Sequence, residues 1–169
     1  SKDIATFNIT GLSPSTTYYF NVIVKDAAGN KNAYTTKQVK TLSNNANLSN
    51  LTISSGTLLP AFSSGVTSYK STVPNEVSSI KITPTVADSL SNLTVNGARV
   101  ASGVGSNIPL NVGSNIIATI VEAQDGTKKT YTITVTRAAS SNADLSNLSL
   151  STGTLTPTFA SGTLSYTAS

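Results

Sequence analysis

Apolar and polar residues alternate with a period of two along much of the chain. The clearest examples are the runs YYFNVIV, residues 18 to 24, and YTITV, residues 131 to 135. Their alternating large residues are Tyr18, Phe20, Val22, Val24, Tyr131, Ile133 and Val135. Because successive side chains of a strand point to opposite faces, this pattern predicts strands with one buried face. No window longer than a few residues shows the apolar stripe that is typical of an amphipathic helix.

Turn-forming residues lie between these runs. Asn96-Gly97 and Asp125-Gly126 are dipeptides that tolerate the positive φ of tight hairpins. Residues 28 to 30 and 112 to 115 carry further turn signals built around glycine. Many short strands at this spacing are typical of immunoglobulin-like antiparallel β-sandwiches. The sequence therefore predicts an all-β fold.

A long repeat divides the chain. Residues 45 to 69 align without a gap to residues 142 to 166, and 16 of these 25 positions are identical. The identities include apolar and turn-forming residues, which in the first copy are Leu48, Leu51, Gly56, Leu58, Pro60, Phe62, Gly65 and Tyr69. The period of 97 residues is the length of one sandwich domain, whereas solenoid and propeller units repeat every ~20 to 50 residues. The repeat therefore predicts separate domains in tandem.

Residues 7 to 22 carry the pattern F-x-I-x-G-L-x-P-x-T-x-Y-x-F-x-V. This pattern resembles the second half of a fibronectin type III domain. The resemblance implies a tyrosine corner formed by Leu12 and Tyr18, in which the tyrosine hydroxyl bonds to the backbone a few residues upstream. It also implies that Asp26 to Asn30 form a loop and that Asn32 to Thr41 form the final strand.

Residues 44 to 137 contain, in order, the segments LSNLTISSGTLLPAF, the strand of Tyr69, VNG, LNVGSN and DGTKKTYTITVTR. In this order and spacing they resemble the bacterial cadherin-like β-sandwich domain. A partial second copy starts at residue 141. The family implies immunoglobulin-like spacer or binding modules of bacterial secreted and cell-surface proteins, and it supplies no catalytic residues.

We therefore expect three consecutive pieces of a longer modular protein, with incomplete sandwiches at both ends of the chain. They are the closing strands of a fibronectin type III-like domain at 1–42, a complete cadherin-like sandwich at 43–139, and the opening of a second cadherin-like domain at 140–169.

The composition excludes several kinds of chemistry. The chain contains no His and no Cys, so it can form neither a Ser/His or Cys/His nucleophile pair nor the usual zinc and copper sites. Its seven carboxylates are Asp3, Asp26, Glu76, Asp88, Glu122, Asp125 and Asp144. The pattern places no two of them on one strand face, as a glycosidase would need. We predict no catalytic residue and no cofactor.

The sequence favours neither a calcium site nor a covalent link between Lys and Asn. The junctions at 41–48 and 137–145 lack the acidic motifs that calcium needs, so Asp26 and Asp125 are interpreted as turn formers and no metal site is predicted. Covalent stapling of Lys to Asn needs a buried lysine, whereas Lys81 alternates outward between Ile80 and Ile82.

The net charge of +4 is dispersed, which permits weak attraction to anionic wall polymers. No basic patch is interleaved with aromatic residues, so nucleic-acid binding is not expected. No run approaches the ~18 apolar residues of a membrane span.

The leading hypothesis is a non-catalytic extracellular spacer array of a bacterial surface or secreted protein. Its partners would be neighbouring domains or other copies of itself, and half-domains completed between subunits would give a fibre. The alternative is a carbohydrate-binding accessory module of a secreted polysaccharide-active enzyme, with Tyr19 and Tyr34 as the candidate ligand-binding residues. In that alternative the partner would be cell wall or another polysaccharide.

Overall fold

The computed structural model describes residues 6 to 169, and none of these residues lies in a helix. The predicted all-β fold is confirmed. Contacts between residues divide the chain into two compact units, of which the first ends at Ala138 and the second begins at Ala139. Asp3, one of the seven carboxylates, lies outside the described residues.

Four short strands open the first unit. They are β1 (Thr17–Phe20), β2 (Ile23–Lys25), β3 (Lys31–Ala33) and β4 (Lys37–Lys40). Strand β1 pairs with β4, and β2 pairs with β3, both antiparallel.

The alternating run 18–24 is not one strand, which corrects the sequence interpretation. Asn21 and Val22 separate β1 from β2, because these two strands pair with different partners. The expected final strand at 32–41 is divided between β3 and β4 for the same reason. Val22 and Val24 are consequently exposed, whereas Tyr18 and Phe20 are half-buried.

Eight strands build a sandwich of two sheets, which is the candidate for the complete domain. They are β5 (Leu48–Ile53), β6 (Ser68–Val73), β7 (Ser79–Val86), β8 (Asn92–Val95), β9 (Ala98–Arg99), β10 (Ser106–Pro109), β11 (Gly113–Glu122) and β12 (Lys128–Arg137). One sheet has the order β10-β7-β5 and the other β6-β12-β11-β8-β9. Apolar side chains of both sheets join in one core cluster. A bulge between Leu48 and Asn50 interrupts the edge strand β5.

One strand pair is parallel, although the sequence interpretation expected antiparallel sandwiches. Strand β6 pairs with β12 in parallel, from Ser68 opposite Thr132 to Val73 opposite Arg137. A parallel pair needs a long crossover connection. Here the connection is residues 74 to 127, which contain strands β7 to β11.

The core follows the alternation of the sequence. Tyr131, Ile133 and Val135 of β12 are completely buried, as predicted, and Ile80 and Ile82 of β7 are buried as well. Full burial of one such side chain stabilises the fold by ~1.5 to 3 kcal/mol. The predicted Asn96-Gly97 turn has positive φ at both residues, 47° and 81°.

The second unit contains two strands, β13 (Leu155–Thr156) and β14 (Thr167–Ala168), which pair antiparallel. None of its residues, 139 to 169, is buried.

Candidate functional site

Asp26 and Asp125 accept hydrogen bonds from backbone N–H groups of their own turns. Asp26 accepts hydrogen bonds from the backbone N–H of Asn30 at 2.8 Å and from its side-chain Nδ2 at 2.7 Å. These bonds lower the pKa of Asp26 from its ordinary value. Asp125 accepts a 2.8 Å bond from the N–H of Thr127. Both residues are turn formers, as predicted.

The acidic side chains within residues 6 to 169 form no cluster that could hold a metal ion. Glu122 makes an exposed ion pair with Lys128, at 3.4 Å between Oε2 and Nζ. The described part of the chain brings together no group of three His, Cys, Asp or Glu side chains that could hold a metal ion.

The two candidate tyrosines occupy different surfaces. Tyr19 lies in β1 opposite Gln38 and is 69% exposed. It lines an open apolar groove together with Phe7, Ile9, Leu12, Phe20, Asn21 and Val22. Tyr34 is 59% exposed, follows β3, and does not line that groove. The structure therefore does not unite the two residues in one groove.

The hydrogen bond expected for a tyrosine corner is present. The backbone N–H of Ser13 donates to the hydroxyl oxygen of Tyr18 at 2.8 Å, five residues upstream of the tyrosine. The ring of Tyr18 also stacks on Phe20, with 6.5 Å between the ring centroids. This local geometry holds the loop that precedes β1.

Lys129, which the sequence analysis did not consider, forms a hydrogen bond with Asn47. The Nζ of Lys129 donates to Oδ1 of Asn47 at 2.8 Å and to the carbonyl of Ser64 at 2.7 Å, and it lies over the Tyr131 ring. Lys81, the residue considered from the sequence, is exposed. Alternation could have indicated Lys129, because it shares the parity of the buried Tyr131.

The contact between Lys129 and Asn47 is a hydrogen bond and gives no chemical basis for a covalent link. Formation of such a link needs a carboxylate to move protons between the amine and the amide. Within residues 6 to 169 the only lysine paired with a carboxylate is Lys128.

The repeat in sequence is a repeat in local structure. In the first copy the Tyr69 hydroxyl donates to the carbonyl of Ser63 at 2.8 Å, and its ring stacks on Phe62 at 6.2 Å. In the second copy the Tyr166 hydroxyl donates to the carbonyl of Ala160 at 2.7 Å, and its ring stacks on Phe159 at 6.1 Å.

The strand pairing and the glycine turn recur as well. Leu59 bridges Lys70 in the first copy, and Thr156 pairs with Thr167 at the equivalent positions of the second. Gly56 and Gly153 both have positive φ, 76° and 85°. Residues 153 to 169 thus repeat the local structure of residues 56 to 72, whereas residues 145 to 150, the equivalent of β5, form no strand.

The two copies differ in burial. Leu48 is 0% exposed and Leu51 is buried, whereas their counterparts Leu145 and Leu148 are 59% exposed and half-buried. Leu164 is 97% exposed. In the first copy Leu48 and Leu51 are buried in the core cluster of the sandwich, whereas the equivalent of Leu164 is the exposed Thr67. Leu145 and Leu148 are therefore apolar side chains of the kind that the first copy buries.

Comparison with known proteins identifies the complete sandwich. The model of the cadherin-like beta sandwich domain family matches residues 48–138, which is more than half of the chain. The chain belongs to the cadherin-like β-sandwich family. The expectation from residues 44 to 137 is therefore confirmed.

A bacterial relative contains a similar segment. Over 96 residues the chain is 45% identical to a protein of Evansella cellulosilytica named "Putative membrane protein". The match covers 56% of this chain and only 14% of that relative. No helix among the described residues is long and apolar enough to cross a membrane.

A solved structure of fibronectin(III)-like modules of Clostridium thermocellum CbhA also matches. The match covers 77% of this chain and 67% of that chain, with 16% identity and a TM-score of 0.29.

Proposed function

We propose that this cadherin-like chain is part of a non-catalytic spacer array in an extracellular protein of a bacterium. The supporting observation is that residues 153 to 169 repeat the strand pairing, the glycine turn and the tyrosine contacts of residues 56 to 72 directly after the sandwich. Tandem copies of one fold suit a role in which length and shape matter. Domains of this family are typically non-catalytic and extracellular.

In the proposed mechanism each domain acts as a rigid spacer. Strands β11 and β12 each contain 10 residues, which corresponds to ~33 Å at ~3.3 Å per residue. Both strands pair along their whole length, and their inner faces are buried in the core. Each domain therefore adds a rigid unit of about 3 nm between whatever lies before it and after it.

The location is tested by labelling cells. Antibodies raised against the purified chain are applied to intact cells of the source bacterium and, separately, to permeabilised cells. The proposal expects label on intact cells, and loss of that label after external protease. Label that appears only after permeabilisation would contradict an extracellular role.

Assembly into fibres is a variant of this proposal. It is supported by the apolar face of the second unit and by the groove beside Tyr19, since unpaired strand edges and apolar faces favour strand addition. Size-exclusion chromatography with light scattering of the 169-residue chain tests it. Oligomers that grow with concentration are expected, and a monomer at every concentration would refute the variant while leaving the spacer role intact.

Carbohydrate binding is the second candidate, and the exposed ring of Tyr19 in an apolar groove favours it. This candidate expects retention of the chain on insoluble polysaccharide, and loss of retention in Tyr19→Ala. Tyr34→Ala is the matched variant, because Tyr34 is exposed outside the groove. Equal retention of the wild type and Tyr19→Ala would refute a site at the groove.

A further inference from the structure

The backbone that joins the N-terminal strands to the sandwich is bound on both sides. Thr41 donates its N–H to the carbonyl of Thr16 at 2.9 Å, and its hydroxyl donates to the carbonyl of Ser13 at 2.6 Å. The carbonyl of Leu42 accepts the N–H of Ser15 at 3.1 Å. The loop that precedes β1 thus holds the chain as far as Leu42.

The next residue is held by the sandwich domain. Ser43 donates its N–H to Oε1 of Gln124 at 3.2 Å, and its carbonyl accepts the N–H of Asp125 at 3.1 Å. Ser43 is only 5% exposed, although it lies between two modules. The chain therefore passes from one module to the other between two consecutive residues, with no free residue between them.

The residues after Ser43 stay bound to the same pole of the domain. The carbonyl of Asn45 accepts the hydroxyl of Ser91 at 2.9 Å, and the carbonyl of Asn47 accepts the N–H of Ala87 at 2.9 Å. Ala46 is buried in the core cluster. Residues 43 to 47 are a docked segment, even though their composition is that of a flexible linker.

The docked segment has a local shape that recurs in the second copy. In the first copy the N–H of Asn45 donates to Oγ of Ser43 at 3.2 Å, and the N–H of Asn47 donates to Oδ1 of Asn45 at 3.1 Å. In the second copy Ser140, Asn142 and Asp144 make the same two bonds, at 3.1 and 2.8 Å. The shape is therefore encoded by the segment itself.

We propose that the pole formed by residues 87–91 and 123–126 is a docking surface for residues 43–47, and that this docking fixes the angle between the N-terminal module and the sandwich. The partner is a segment of the pattern Ser-x-Asn-Ala-Asx, and residues 140–144 are the corresponding segment of the domain that they begin. This inference deepens the proposed spacer function and rests on it for its biological purpose, since a docked junction makes the array stiff.

Pulsed electron paramagnetic resonance of the full chain tests the proposal. The chain has no cysteine, so Lys37→Cys in β4 and Lys81→Cys in β7 place one spin label on each side of the junction. Both lysines are exposed. The labelled chain is expected to give one narrow distance distribution.

Three variants of the labelled chain separate docking from other causes. Insertion of Gly-Gly-Ser-Gly between Leu42 and Ser43 frees the junction and is expected to widen the distribution by about twofold or more, because such linkers behave as flexible coils. The double variant Ser91→Ala/Gln124→Ala removes the two side chains that bind the backbone of Ser43 and Asn45, and it is expected to widen the distribution as well. Ser89→Ala, an exposed neighbour in the same loop, is the matched control and should leave the distribution narrow.

The outcomes are distinct. A labelled chain as broad as the insertion variant would overturn the docked junction. A double variant as narrow as the Ser89→Ala control would overturn the role of Ser91 and Gln124, provided that circular dichroism shows both to be folded. Neither failure affects the cell-labelling result, because that experiment measures location and not stiffness.

Discussion

The turn at Gly56 gives the sharpest prediction of stability. Gly56 has a φ of 76°, in the left-handed region that L side chains rarely adopt. A Cβ at this position would lie 2.8 Å from the carbonyl oxygen of Thr72 and would also contact the Ser71 hydroxyl. Gly56→Ala therefore combines backbone strain with a clash against the backbone of a neighbouring strand.

The magnitude follows from these two costs. Left-handed φ costs an alanine about 1 to 2 kcal/mol, and forcing a methyl group into occupied space costs about 1 to 3 kcal/mol more. Gly56→Ala should therefore lower the free energy of unfolding of the complete domain by about 2 to 5 kcal/mol. With a typical slope of ~1 to 3 kcal/mol per molar urea, the unfolding midpoint should fall by about 0.7 M or more.

Two other glycines separate the two costs. Gly113 has a φ of 90° with nothing within 4 Å of an added Cβ, so Gly113→Ala should lose only about 1 to 2 kcal/mol. Gly65 has an open position and no positive φ, so Gly65→Ala should change stability by less than about 1 kcal/mol.

The assay is urea unfolding of the 169-residue chain followed by far-UV circular dichroism, with each variant compared with the wild type. The expected order of destabilisation is Gly56→Ala, then Gly113→Ala, then Gly65→Ala. Equal midpoints for Gly56→Ala and Gly113→Ala would refute the close approach of Gly56 to Thr72.

Two further predictions concern the contacts at the start of β5. Tyr131→Phe should lower the free energy of unfolding by about 1 to 3 kcal/mol in urea unfolding, because the buried hydroxyl accepts the N–H of Leu48 at 3.0 Å. Tyr34→Phe is the exposed control, and equal midpoints for the two variants would refute the role of this bond. Asn47→Asp should raise the free energy of unfolding by about 0.2 to 1 kcal/mol at low salt, because the new carboxylate would pair with Lys129. Because Lys129 would lower the folded-state pKa of the new carboxyl below the unfolded ~3.9, the gain should be present above that pH and vanish as pH falls through the folded pKa; a gain that survives high salt or acid would contradict the pairing.

The core of the complete domain was predictable from the sequence for a physical reason. Tyr131, Ile133 and Val135 lie in a strand with neighbours on both sides in its sheet, so alternation alone decides which face is buried. The Asn96-Gly97 turn was predictable because only a few residue types adopt its positive φ.

Features that depend on distant partners were not predictable. Alternation could not reveal that the run 18–24 divides between two partners, nor that β6 joins β12 in parallel. The docked segment 43–47 was missed because Ser and Asn in a junction are typical of flexible linkers. Its order comes from side chains far along the sequence, such as Gln124 and Ser91.

The central claim is that the chain contains two copies of one opening structure in a tandem array. Nuclear magnetic resonance of the 169-residue chain tests it most directly. The account predicts matching backbone secondary shifts for residues 56–71 and 153–168, and contacts between the Phe159 and Tyr166 rings like those between Phe62 and Tyr69. Random-coil shifts across 153–168 without those ring contacts would contradict it.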